Sequence, residues 1–477
     1  MNVNPITRLD YPDLDVIRVE DTYYMVSTTM HFMPGCEILQ SFDLVHWEHA
    51  TYVYETLDHT DAQQLKSGHN IYGQGMWAAS LRYHEGRFYI CFVANDTRKT
   101  YLYTSEKIDG PWKKQLIEGF YHDGSLLFDE DGRNYIVYGN DEIWITELNE
   151  DLTAPKKDGL HRLLVSDHKN PELGYEGSHI QKINGYYYIF LIHSLRDRWM
   201  RTEACFYSDS LEGEFTGGDV LCDDRGYCGQ GVAQGGIVDT PDGKWYAMLF
   251  QDSGAVGRIP ILLPVTWKDH FPVFGQNGHV PEEIEVHSTR PGYIYQPLVG
   301  SDDFCNGLLP RWQFNHDPDP RYYHLDALQG TYTITTREVC TELTQAVNTL
   351  TQRMSYPSCA AEVTVDASAL KEGDVAGLCA LQSCYAAVGI TKHHGKYEVL
   401  MLDKKEDGIL DMTERTVVES HQMDFRLEAD FCNMKDEARC YYRVNKGDWL
   451  PIGTVHKLYF KLDHFTGCRF GLFCYAA

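Results

Sequence analysis

The chain has 477 residues, of which 43% are hydrophobic and 13% aromatic. A domain holds roughly 100–200 residues, so two or three packed domains are expected and a largely disordered chain is excluded. Lys and Arg total 42 against 69 Asp and Glu, a formal net charge of −27. A surface this acidic repels phosphate backbones and anionic membranes, so neither nucleic acid nor membrane is an expected partner, while neutral ligands such as sugars stay open.

The start, Met1-Asn2-Val3-Asn4-Pro5, offers neither a basic nor an apolar leader segment, so no standard signal peptide is expected. Apolar runs such as Tyr186 to Ile192 fall well short of the ~18 residues that a membrane span needs. Fourteen cysteines, nine of them after residue 300, show no Cys-x-x-Cys pair and no His/Cys ligand spacing. They read as reduced, mostly buried thiols in a cytoplasmic protein, with disulfides in an exported protein as the alternative, and zinc is not expected.

Along the chain, short aromatic and β-branched stretches alternate with Gly, Asp and Asn turns, which predicts an all-β fold. One element recurs: an acidic or Asn turn, usually with Gly, then a strand rich in Tyr and Phe. It appears at Asp21-Thr22-Tyr23-Tyr24, Glu85-Gly86-Arg87-Phe88-Tyr89, Asp131-Gly132-Arg133-Asn134-Tyr135, Asn184-Gly185-Tyr186-Tyr187 and Asp242-Gly243-Lys244-Trp245-Tyr246. The copies lie roughly 45–65 residues apart, which fits one antiparallel sheet per copy. Five sheets set radially would make a five-bladed β-propeller; ordinary hairpins in a sandwich would show the same repeat. Beyond about residue 280 the repeat stops, and Pro281, Pro291 and Pro297 mark an irregular connection. A second strand-rich region follows, whose alternation at Ala360-Ala361-Glu362-Val363-Thr364-Val365 predicts a β-sandwich. The expected division is a propeller over residues 1–285, a linker over 286–300 and an accessory sandwich over 301–477.

Three acids stand beside turn residues just ahead of predicted strands: Asp13, Asp123 and Glu176. In a propeller the inner strand of each blade begins at the central axis, so such acids can converge at one mouth. Converging carboxylates push each other's proton affinities apart, as glycoside hydrolysis requires: one carboxyl stays protonated for the leaving oxygen, another stays ionised to activate water. Asp is also an ordinary turn residue, so each position alone has a purely structural reading.

The N-terminal region resembles glycoside hydrolase family 43, propeller enzymes acting on xylan and arabinan side chains and oligomers. The resemblance rests on an ordered set of segments: Asn4-Pro5 with Tyr11-Pro12-Asp13, Ser41 through Trp47, Met76-Trp77-Ala78, His122-Asp123, Glu176-Gly177, and Gly257-Arg258 ahead of Pro264-Val265-Thr266-Trp267. The region from about Asp302 resembles the family's accessory sandwich, with Leu350-Thr351-Gln352-Arg353 and Asp374-Val375-Ala376-Gly377-Leu378. The resemblance implies Asp13 as general base, Glu176 as general acid and Asp123 as the residue that tunes and orients the acid. It implies an inverting, exo-acting enzyme that releases terminal β-D-xylose or α-L-arabinofuranose from short oligosaccharides. From the residues themselves, Trp77 and Phe32 would face the sugar and Arg258 would bind its hydroxyls, with core packing for the rings and an inter-blade salt bridge for Arg258 as the structural alternatives, and the sandwich would serve structure or close the pocket. Three prolines of the family's acid motifs are replaced here by Leu14, Gly124 and Ser178. No cofactor is needed for the chemistry. A structural calcium stays open, with Gln234 standing where the family often places a histidine. Oligomerisation also stays open. Two rivals are a retaining fructan-processing propeller, which would need an Asn-Asp-Pro-Asn segment, and a non-catalytic carbohydrate-binding protein, which would be expected to lack Asp13 or Glu176. His31 is open to either role, His179 is expected to be structural, and Trp47 and Trp267 are expected to pack between strands.

Overall fold

The computed structural model describes residues 3–476 and is almost entirely β. All five recurring turns are hairpin turns joining the first and second strands of a sheet. Each holds a left-handed residue, at Glu20, Gly86, Gly132, Gly185 and Gly243, as tight hairpin turns demand. Each hairpin extends into a four-stranded antiparallel sheet. The first strands of the five sheets are Asp15–Val19, Met76–His84, Ser125–Phe128, Glu176–Ile183 and Val232–Asp239. They adjoin one another in a closed ring, the fifth meeting the first, so each sheet is a blade of a propeller.

The blades meet through apolar faces. Val26, Ile38, Leu81 and Phe92 fill the space between the first and second. Val137, Ile145, Ile189 and Leu191 do so between the third and fourth. Trp267 packs edge-on against Trp245 and Tyr188, and Trp47 is buried among Leu44 and its neighbours, so both tryptophans serve packing as expected. The N-terminal segment latches the ring onto the last blade. Ile6 N–H donates to Pro260 O at 2.9 Å, and the Asn4 amide pairs with the Leu262 backbone at 2.7 and 2.8 Å.

The rest of the fold aims side chains at the axis. At or near the start of each inner strand one residue is left-handed: Asp13, Ala78, Asp123, Gly177 and Gln234. Register shifts accompany three of them. A bulge of this kind re-aims the neighbouring side chains, and four of the five left-handed residues are not glycine, a strain of about 1–3 kcal/mol each that the surrounding ring must hold.

Residues 275–312 carry no strand, and their middle part runs along the first blade. Arg290 Nε donates to Asp21 at 2.7 Å, and Gln296 N–H to Glu48 at 2.8 Å. The C-terminal region packs an eight-stranded sheet on a four-stranded one. The predicted alternation falls on the strand Ser358–Asp366, which alternates between half-buried and exposed residues. The two regions are not separate bodies. The propeller's two-residue strand Phe32–Met33 forms the edge of the eight-stranded sheet, paired with Gln313–Asn315. Ala255, Val256 and Ile259 of the fifth blade enter the sandwich core beside Met354 and Phe470. All fourteen cysteines are free, eight of them buried. Among the described residues no helix is long and apolar enough to cross a membrane.

Candidate active site

The ring brings Asp13, Asp123, Glu176 and Arg258 to one end of the propeller axis, although the blades that carry them are far apart in sequence. Asp13 is buried and held from both sides. Its Oδ1 accepts from Arg258 Nη1 at 2.5 Å, and its Oδ2 from Thr28 Oγ1 at 2.7 Å. Thr28 Oγ1 itself accepts from the Ala78 N–H at 2.8 Å, which ties the first blade to the second. Arg258 opens a strand of the fifth blade, and its Nε donates to Asp252 at 3.2 Å.

Asp123 and Glu176 form a second group with His122. The His122 Nε2 lies 3.5 Å from Asp123 Oδ2 and 3.5 Å from Glu176 Oε2. The Gly177 N–H donates to Asp123 Oδ2 at 2.9 Å, and Asn140 donates to Glu176 Oε2 at 2.8 Å. Burial raises Asp123 to about 6; Glu176 and Asp13 add to the rise, and His122 opposes it. Burial works against a charge on His122, but the Asp123 carboxylate and the contact with Glu176 outweigh it and lift the imidazole to about 9. Burial would also raise Glu176. The hydrogen bond and charge of His122, with the charges of Arg201 and Arg258, reverse this and lower it. Glycoside hydrolysis requires the acid, expected at Glu176, to hold its proton. Here the neighbouring cations lower Glu176, whereas Asp123 and His122 are raised. Groups this close titrate together, and the proton belongs to the cluster.

The walls come from both regions. Trp77 is half-buried, its ring 4.9 Å from that of Phe465 at 70°. Phe465 belongs to a loop of the sandwich, and the Arg258 guanidinium lies 3.9 Å over its ring. The backbone N–H of Gly467 in the same loop donates to Asp10 at 2.7 Å, and Asp10 also accepts from the Arg258 N–H at 2.8 Å. The sandwich thus reaches the site through Phe465, a residue that no local sequence signal marks. Phe32 differs from the expectation of a sugar-facing ring. It is 2% exposed, with the Arg469 guanidinium 3.5 Å over its face and the His31 ring at 4.3 Å. Pairing of its strand with the sandwich draws it into the interface. His31 is buried with it, among His316, His464 and Tyr72. His179 bonds to Asp15 at 3.1 Å, and Asp15 also pairs with Arg82, so His179 is structural as expected.

Gln234 is buried against the glycine next to the acid: a Cβ on Gly177 would stand 2.7 Å from Gln234 Cδ. The Gln234 N–H donates to Glu203 Oε2 at 2.7 Å. Burial pushes Glu203 well above the usual carboxylate range. Calcium takes about six to eight oxygen ligands, with carboxylates prominent among them. Gln234 and Glu203 supply at most two side-chain donors toward such a cage. Among the described residues the only His/Cys/Asp/Glu group of three with ligating atoms within 4.8 Å is His122, Asp123 and Glu176, the proton-handling cluster itself. No step below passes through a metal.

Residues 3–272 match the family model "Glycosyl hydrolases family 43", and residues 301–477 match "Beta xylosidase C-terminal Concanavalin A-like domain". A β-xylosidase of Formosa agariphila is 27% identical over 99% of this chain and 87% of its own length. A non-reducing end α-L-arabinofuranosidase of Bacteroides ovatus is 24% identical over 86% of this chain and 79% of its own. Among solved structures, a bifunctional GH43-CE protein of Bacteroides eggerthii superposes with a TM-score of 0.92 at 42% identity. It covers 99% of this chain, which spans 61% of that longer one. An engineered GH43 enzyme with endo-xylanase and exo-arabinofuranosidase activity gives a TM-score of 0.86 at 28% identity, over 99% of this chain and 96% of its own. With the family model covering more than half of its length, the chain belongs to glycosyl hydrolase family 43, as a glycoside hydrolase with a propeller and a concanavalin-like sandwich.

Proposed function

We propose that the chain is an exo-acting, inverting hydrolase that removes terminal β-D-xylose or α-L-arabinofuranose from short oligosaccharides. The observation that carries this reading is the unequal surroundings of the carboxylates. Asp13 accepts from a guanidinium and a hydroxyl. Glu176 faces Asp123 and His122, which keep protons within reach. In the reaction a water attacks the anomeric carbon and gives its proton to Asp13. The bond to the glycosidic oxygen breaks, and that oxygen takes a proton from Glu176, drawn from the cluster with Asp123 and His122. One water is consumed, and no sugar–enzyme bond forms. Phe465 standing over Arg258 and beside Trp77 closes one side of the site, which suits a chain end better than the middle of a polymer. The names of the relatives support both sugars. No basic patch serves the chemistry, and the ligand expected is a neutral oligosaccharide.

Glu176→Ala provides the test. Loss of a general acid costs about 10²–10⁴-fold in turnover when the leaving group needs protonation. Xylobiose hydrolysis should fall by that much, while 4-nitrophenyl β-D-xylopyranoside, whose leaving group departs unaided, should fall far less. Equal losses on the two substrates would remove Glu176 from the role of acid.

A further inference from the structure

Behind Arg258 stands a second buried guanidinium. Arg201 opens the strand Arg201–Ser208 of the fourth blade and is 2% exposed. Its Nε donates to Asp252 Oδ2 at 2.6 Å. Asp252 ends the strand Trp245–Asp252 of the fifth blade, and its other oxygen accepts from Arg258 Nε at 3.2 Å. Arg258 Nη1 then reaches Asp13 at 2.5 Å. The order Arg201, Asp252, Arg258, Asp13 alternates in charge, and all four side chains are buried. Both guanidiniums lie over the Phe250 ring, at 5.5 and 4.7 Å. Arg201 Nη1 is buried with no hydrogen-bond partner, and its Nε bond to Asp252 adds to its contacts with the Trp199 and Phe250 rings.

A buried charge is tolerated when it is paired, and each pair here shares a member with the next. Asp252 therefore divides its attraction between two cations. Without Arg201 it would draw on Arg258 alone, and Arg258 would have less to offer Asp13. Without the Asp252 charge, both cations would act on Asp13 unopposed.

We propose that Arg201 and Asp252 are positioning residues for the hydrolysis: they fix the Arg258 guanidinium and set how much of its charge reaches Asp13. The proposal rests on the reading of Asp13 as the base. Other charged groups also face this line. Asp10 bonds to the Arg258 backbone, His122 and Asp123 act on Asp13 from the third blade, and Glu176 acts from the fourth on both Arg258 and Arg201. They are common to all variants, so differences between variants isolate Arg201 and Asp252.

The test is the pH profile of kcat/KM for 4-nitrophenyl β-D-xylopyranoside or 4-nitrophenyl α-L-arabinofuranoside, whichever is cleaved, in Arg201→Met, Arg201→Lys, Asp252→Asn and Asp13→Asn. Arg201→Met should lower kcat/KM by about tenfold or more and move the acid limb up by about half a pH unit or more. Arg201→Lys should restore part of both, since it returns the charge without the fork. Asp252→Asn should move the acid limb the other way, to lower pH. Opposite shifts cannot come from loosened packing, which would affect both variants alike. Unmoved limbs, or limbs that move together, overturn the proposal. Should Arg201→Met not fold, the opposed signs of Arg201→Lys and Asp252→Asn relative to the parent decide the matter. Asp13→Asn separates the two layers. If it keeps its turnover, the reading of Asp13 fails and the proposal with it. If it loses turnover while the limbs stay fixed, only the relay fails.

Discussion

Asp13 and Glu176 are carboxylates at one mouth, and their neighbours set their roles apart. Asp13 is bonded to Arg258 and Thr28, whereas Glu176 shares His122 with Asp123. Asp123 is the member of this cluster that burial raises to about 6, so above that pH it becomes an anion beside Glu176. An anion there raises the proton affinity of Glu176 and extends the pH range over which the acid is loaded. Asp123→Asn should therefore move the basic limb of the activity profile to lower pH, read from initial rates across the pH range. A basic limb left in place would deny Asp123 this role. The three acids were legible because each stands in a turn just ahead of a strand. The place of His122 was not, since its second partner, Glu176, lies a whole blade further along the chain. Phe32 misled for a related reason: an aromatic in a Pro/Gly loop reads as a pocket wall until Arg469, from the far end of the chain, is seen to cover it.

Among the elements, the repeated turn was the most informative signal, because one hairpin type recurs at the same place in every blade. The left-handed residues at the pocket ends of the inner strands carried an uneven signal: Gly177 and the two aspartates are types that visit this geometry, whereas the alanine and the glutamine give no sign of it. They hold because the strands around them are closed into a ring. Gly257 shows how tight that closure is near Arg258. It sits at φ 103°, and a Cβ there would lie 2.1 Å from Asp10 Oδ1. Gly257→Ala should destabilise the fold by about 1–3 kcal/mol and displace Arg258, so that thermal melting and activity fall together. A variant as stable and active as the parent would show that Asp10 and its loop can yield.

On the scale of the whole molecule, the propeller and the sandwich share a sheet edge, a core and the wall of the site. The sequence signalled two β regions, and the loss of the turn repeat marked the change between them. Their fusion was not readable, because the joining segments, Phe32–Met33 and the loop around Phe465, are short and carry no pattern of their own. Phe465→Ala should lower the melting temperature, since the ring is 3% exposed, and raise KM on the order of tenfold through loss of its contacts with Arg258 and Trp77. An unchanged KM would confine the sandwich to a structural role. The central claim is that Asp13 and Glu176 act through a water, with no bond between enzyme and sugar. It is tested most directly by a proton NMR time course on an equimolar mixture of 4-nitrophenyl β-D-xylopyranoside and 4-nitrophenyl α-L-arabinofuranoside. The first sugar released should carry the inverted anomeric configuration, α-xylose or β-arabinofuranose, before mutarotation sets in. Release with the starting configuration retained would contradict the account.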